Sequence, residues 1–185
     1  MNFTVTKNGK PLDEKFYTWD ENSRTLSTTQ NDLVLDFSKT GPECTFDTGS
    51  NCTFKTGYDC TFKTGYGCTF DTGDNCTFDT CDDCTFKTGS GCTFDTCSSC
   101  TFKTGPGCTF NVSYSCTFDI SYSCVIVRRD VFEVIQPEKG KIIKINERNK
   151  LGFSFLSDIK ITVNGKDVIL SNETIENIKK QIIGE

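Results

Sequence analysis

From residue 44 to residue 124 the apolar positions of this chain recur with a period of eight. Cysteine falls at 44, 52, 60, 68, 76, 84, 92, 100, 108, 116 and 124, and phenylalanine follows two residues after each of the first ten. Each unit reads Cys-Thr-Phe-(Asp/Lys/Asn)-(Thr/Val/Ile)-(Gly/Cys/Ser)-x-x. Fixed-period self-similarity marks a stacked, quasi-one-dimensional architecture. The unit is too short for a helical repeat, and its Thr, Phe and Gly favour a strand followed by a turn. Side chains alternate across a strand, so Cys, Phe and the second Thr share one face. The opposite face carries the first Thr and a position that reads Asp47, Lys55, Lys63, Asp71, Asp79, Lys87, Asp95, Lys103, Asn111 and Asp119. A charge that changes sign belongs in water, so Phe and Cys face inward. Val112 and Ile120 replace the second Thr in the last two units, which places that position inside as well. The last three positions form a corner, where Gly is expected to supply a positive φ.

One octad cannot close a coil around phenylalanine. Two octads give a flattened coil of sixteen residues, and three give a triangular coil of twenty-four. The corner Gly becomes Cys only at Cys81 and Cys97, which stack directly in a sixteen-residue coil. At a spacing of sixteen the charged pairs 47/63, 63/79, 55/71, 71/87 and 103/119 are opposite in sign, whereas 79/95 and 87/103 are alike. Opposite charges stacked across strands contribute about 0.2–1 kcal/mol each. The sixteen-residue coil is therefore favoured, with the twenty-four-residue coil as the alternative.

The flanks break the period. Residues 1–43 read as a β-rich cap, with strands near 3–6, 16–19 and 25–28, turns at Asn8-Gly9 and Asn22-Ser23, and a lead-in strand at 33–37. Beyond Cys124, strands are expected at 125–127, 131–135, 141–145 and 153–155, with a turn at 137–140. A hairpin is expected at 159–163 and 167–170 around Asn164-Gly165. Ser171 is a good N-cap for a terminal helix with Asn172 and Glu173 in its first turn, an apolar stripe of Ile175, Ile178 and Ile182, and a stop at Gly184. The whole reads as an all-β-dominated β-solenoid in three parts: a cap at 1–43, the octads at 44–124 and a small α+β domain at 125–185.

Composition narrows the function. A hydrophobic content of 35% suits a thin solenoid core, and the net charge of −5 makes nucleic-acid phosphate a poor partner. No stretch reaches membrane-spanning length and no signal-peptide pattern opens the chain, so synthesis in a cytosol without secretion is expected. There are thirteen cysteines and no histidine. Cysteine at an inward position behaves as a small hydrophobe, and an odd total spaced by the coil does not read as a bridge pattern. Free thiols are expected. The absence of His removes the commonest general base, and no catalytic, cofactor or metal residue is assigned.

Several constellations still call for weighing. Cys81-x2-Cys84 and Cys97-x2-Cys100 have the spacing of a tetrahedral zinc site, although Cys84 and Cys100 are already required by the octad. Cys81 and Cys97 as free thiols, as one disulfide or as zinc ligands are all left open. The ladder of Thr45, Thr53, Thr61 and onward invites comparison with ice-binding solenoids, but an adjacent row of mixed charge does not match an ice lattice. Asp59, Asp74, Asp82 and Asp83 lie at corners, without the glycine-rich pattern of calcium-binding β-rolls. Tyr58, Tyr66, Tyr114 and Tyr122 occupy one corner position in two pairs, on opposite edges of the coil. Asn51 and Asn75 open Asn-Cys-Thr triplets that follow from the repeat itself.

The run Cys52-Thr-Phe-Lys-Thr-Gly-Tyr-Asp-Cys60-Thr-Phe-Lys-Thr-Gly-Tyr resembles octapeptide-repeat proteins encoded by large DNA viruses and phages, and the segment from Cys124 to Ile135 resembles the sequence that ends such repeats. The resemblance implies a virus-encoded structural or accessory protein in the virion: a spacer, fibre segment or decoration protein. Its end domains would then contact capsid or tail proteins, with a homotrimer as one arrangement and no membrane partner. The rival reading is a cytosolic protein-binding module, or an acidic mimic of the pentapeptide-repeat kind. An enzyme is not expected, because corners of three residues form no cleft.

Overall fold

The computed structural model describes residues 3–137 and 141–156, and two further strands, β20 and β21 below, as backbone. Ahead of the octads lie β1 (Thr4–Lys7), β2 (Lys10–Pro11), β3 (Thr18–Asp20), β4 (Thr25–Ser27) and β5 (Leu33–Asp36), with a single 3-10 turn at Glu14–Phe16. Each octad then contributes one strand: β6 (Thr45–Asp47), β7 (Thr53–Lys55), β8 (Thr61–Lys63), β9 (Thr69–Asp71), β10 (Thr77–Asp79), β11 (Thr85–Thr88), β12 (Thr93–Asp95), β13 (Thr101–Thr104), β14 (Thr109–Val112) and β15 (Thr117–Ile120). After them come β16 (Val125–Arg128), β17 (Glu133–Ile135), β18 (Ile143–Ile145), β19 (Phe153–Phe155), β20 (Ile159–Val163) and β21 (Lys166–Leu170).

Alternate octads build opposite walls. One sheet runs β5, β7, β9, β11, β13, β15, and the other runs β4, β6, β8, β10, β12, β14, β16, with every neighbouring pair parallel. Phe78 lies beside Phe62 on one side and Phe94 on the other, a register of sixteen. The chain is a β-solenoid of about six turns with sixteen residues per coil. The triangular coil is excluded, because two walls already enclose the core.

The core is a herringbone of rings. Within a wall the phenylalanines stack with nearly parallel planes; Phe78 and Phe94 have centroids 4.8 Å apart and an interplanar angle of 3°. Between walls they meet edge to face, as Phe78 does with Phe86 at 5.2 Å and 76°. Both geometries avoid the repulsive eclipsed sandwich, because stacked rings can offset along the coil while opposed rings present edge to face. All ten octad phenylalanines and all eleven octad cysteines are buried. The second Thr is inside too, and Thr48, Thr72, Thr80 and Thr96 bury hydroxyls that have no hydrogen-bond partner.

The corner glycine does a different job from the one expected. Positive φ falls two residues later, at Asn51, Asp59, Gly67, Asn75, Asp83, Gly91, Ser99, Gly107, Ser115 and Ser123. Those are small or polar residues that tolerate the left-handed region. The glycine itself is needed for close stacking. A Cβ at Gly73 would stand 3.2 Å from the backbone of Gly57 in the preceding coil, and one at Gly89 would overlap Asp74 Oδ1. The backbone ladder passes through this position, with Gly73 N–H donating to Gly57 O at 2.9 Å and Gly89 N–H to Gly73 O at 3.1 Å.

The coil also outruns the octads. Thr25 pairs in parallel with Thr45, and Val34 with Thr53, so residues from 25 onward already form a coil with longer corners, lined by Leu26 and Leu35 instead of Phe. At the far side β16 adds one more parallel strand after Cys124. Both ends then reverse direction. β1 runs antiparallel to β5, β2 to β1 and β3 to β4; β17 runs antiparallel to β16, β18 to β15 and β19 to β18. The Asn8-Gly9 turn joins β1 to β2 with both residues at positive φ, as a two-residue hairpin requires. The expected hairpin at 159–170 is present as β20 and β21, with Val163 opposite Lys166. The terminal helix expected from Ser171 lies outside the described residues.

Candidate interaction surfaces

Each wall presents an exposed column of Thr beside a column of charge. Register alone decides the charge neighbours, and two of the expected pairs close as ion pairs: Lys87 with Asp71 at 3.2 Å and Lys103 with Asp119 at 3.5 Å. Both are well exposed, so each contributes less than about 1 kcal/mol. Asp95, which faces the like-charged Asp79, is instead held by Arg129 at 2.8 Å. Arg129 also donates to Thr96 O, which ties the wall to the strand that ends it.

The corner acids do not converge. Asp74 Oδ1 accepts from Ser90 N–H at 2.7 Å on one edge. Asp82 Oδ1 accepts from Ser98 N–H at 2.7 Å and from Ser98 Oγ–H at 2.6 Å on the other. Each acid bonds one coil to the next. Asp59 and Asp83 sit at positive-φ positions of opposite corners. Asn51 and Asn75 hold equivalent places, and Asn51 Nδ2–H donates to Asp32 Oδ1. Tyr58, Tyr66 and Tyr122 are exposed, whereas Tyr114 is half-buried.

The thirteen cysteines are free thiols. The octad thiols form two ladders along the edges, each donating weakly to corner carbonyls. Cys76 Sγ lies 3.7 Å from Gly57 O and Cys92 Sγ 3.6 Å from Gly73 O, both in the coil before. Shared hydrogen bonds with neighbouring thiols, together with burial, push Cys52, Cys76, Cys84 and Cys108 well above an ordinary thiol. Cys100 is pushed up to about 12, chiefly by its hydrogen bond to Cys116. Cys81 and Cys97 differ from these. Cys81 is exposed and Cys97 half-buried, while Cys84 and Cys100 lie inside the wall. Each C-x2-C pair is thus split between the outer and inner sides of one corner. Among the described residues no group of three or more Cys, Asp or Glu is arranged to hold a metal ion.

The two ends are unlike. At the N-terminal end Phe3, Trp19 and Phe37 pack together over Phe46, and Phe37 meets Phe46 edge to face at 4.8 Å. The outermost strands there are β2, with Lys10 and Pro11, and β3, with Thr18 and Asp20 around Trp19. Proline and charge on an edge strand oppose pairing with another chain. At the C-terminal end the outermost strands are β17 and β19. Phe153 and Phe155 on β19 are part-exposed, as is Ile142, and Val134, Leu151 and Phe132 are more so. Phe132 is 94% exposed and has a φ of 52°, a left-handed conformation unusual for an aromatic residue.

This end is organised by a residue that the sequence reading passed over. Arg128 stands opposite Val112, at the inward position of the octad that opens with Cys124, and is 0% exposed. Its guanidinium pairs with Asp130 at 2.8 Å and with Glu133 at 3.3 Å. It also donates to Lys150 O at 2.7 Å and to Gly152 O at 3.2 Å. Glu133 in turn accepts from Gly152 N–H at 2.9 Å. A charged residue in the apolar phase of the repeat was the available signal: it marks where the coil stops and a polar knot begins.

No protein-family model matches the chain, and no curated protein or solved structure matches it. A shallow, open depression of about 250 Å³ lies beside Ser27, Thr28, Thr29 and Asp47. No helix among the described residues is long and apolar enough to cross a membrane.

Proposed function

We propose that the chain is a non-enzymatic structural spacer whose coil separates two differently built ends. The observation that carries this reading is the in-register stack itself: about six turns, roughly 29 Å at about 4.8 Å per coil, end in one polar and one apolar edge. A rod with a repeated wet surface sets a distance, and its irregular ends are where specific contacts can be encoded. The resemblance to octapeptide-repeat proteins of large DNA viruses and phages supports reading such a spacer as a fibre segment or decoration protein that contacts capsid or tail components of a particle. Mass spectrometry of purified particles beside infected-cell extract tests that placement. Recovery in particles supports it. Recovery in extract alone favours the rival reading, a cytosolic binding module.

A further inference from the structure

We propose that Cys81 and Cys97 form an oxidisable dithiol on the outer corner of the solenoid, closed to a coil-to-coil disulfide by a hydroperoxide. The pairing of β10 with β12 carries Thr77 against Thr93 and Asp79 against Asp95, so the two cysteines leave adjacent strands at equivalent places. Coils in register lie about 4.8 Å apart, inside the 4.4–6.8 Å range of Cα separations that a disulfide spans. Asp82 and Cys81 of the coil before both act electrostatically on the Cys97 thiol, which puts its sulfur beside them.

Accessibility separates this pair from the rest. The other eleven thiols are buried, and their sulfurs face corner carbonyls. Cys81 is exposed and meets the oxidant first. Its sulfur attacks one peroxide oxygen, the O–O bond breaks, and an alcohol (or water, from hydrogen peroxide) leaves with a proton, so Cys81 becomes a sulfenic acid. The Cys97 sulfur then attacks the Cys81 sulfur, the S–O bond breaks, and water leaves carrying the Cys97 proton. Two thiols lose two electrons and the peroxide gains them. Burial, and then the charge of Asp82, raise Cys97 above an ordinary thiol, with Arg129 beside it opposing them. That division suits an exposed attacking thiol and a sheltered resolving one.

The test treats the full-length reduced protein with hydrogen peroxide, then denatures it, alkylates it and maps peptides without reduction. The expected result is a loss of two alkylatable thiols per chain, a mass lower by two hydrogens and one peptide linking 81 to 97. Cys81→Ser and Cys97→Ser should each abolish the link. Both variants should fold, since Ser113 and Ser121 already occupy this octad position. The Cys97→Ser variant should stop at a sulfenic acid on Cys81, trapped by dimedone. Intact alkylation of all thirteen thiols after peroxide, a link through a buried octad cysteine or a link between two chains would overturn the proposal.

Discussion

Position within the octad decides what a residue contributes. Phe78 is 1% exposed, stacked on Phe62 and Phe94 and edge-on to Phe70 and Phe86. Its neighbour Asp79 points into water. Phe78→Ala should cost about 3–5 kcal/mol, from the loss of transfer energy and the cavity left between rigid rings. Asp79→Ser should cost under about 0.5 kcal/mol. Chemical denaturation of the two variants measures the difference, and equal effects would contradict the strand phase. Thr80 offers the opposite sign. Its buried hydroxyl has no partner, and Val112 shows that the coil accepts an isosteric methyl there. Thr80→Val should therefore stabilise by about 1 kcal/mol, read as a raised denaturation midpoint.

At the scale of the element, the sixteen-residue coil is the unit of addition. Each coil contacts only its neighbours, so stability is close to a sum over coils and interfaces. Deleting residues 60–75 removes one coil and keeps wall, corner and Phe column in phase. That variant should fold cooperatively with its ends about 5 Å closer. Deleting 60–67 removes half a coil, joins a strand of one wall to the other, and should fold poorly. Circular dichroism and denaturant melts compare the two. If the shorter deletion is the better folded, the two-octad coil is wrong. The terminating element has its own test. Arg128→Met leaves Asp130 and Glu133 without their buried partner and should cost about 3–5 kcal/mol. Limited proteolysis should then cut near 147–152, the loop whose carbonyls the guanidinium now binds.

Over the whole molecule, antiparallel strands close both ends of a parallel stack. A parallel coil left open would template another copy, and reversing the strand direction changes the hydrogen-bond pattern it offers. The closure is uneven: Lys10, Pro11 and Asp20 guard one end, while Phe153, Phe155 and Val134 remain accessible at the other. If the spacer reading holds, the 60–75 deletion should keep whatever partner the ends bind, because those ends are unaltered. Co-sedimentation with the partner particle decides this. Loss of binding by a folded deletion variant would place recognition on the walls instead.

The sequence by itself determined the coil. A period of eight, with Phe and Cys on one side of a strand and charge of varying sign on the other, admits few enclosures. The stacking of opposite charges at a spacing of sixteen selects between them. The Asn8-Gly9 hairpin and the pairing of β20 with β21 were equally legible, because turn chemistry is local. Tertiary structure decided what depends on the next coil. Only stacking shows that corner glycines make room for a neighbouring backbone while the residues two places later carry the positive φ. Only pairing shows that residues 25–36 already belong to the coil, because Leu26 and Leu35 fill the Phe column without its signature. The same holds for Arg128. Its partners Asp130, Glu133, Lys150 and Gly152 are gathered by chain reversals that no periodicity encodes, and a buried guanidinium is tolerated only where all of them meet.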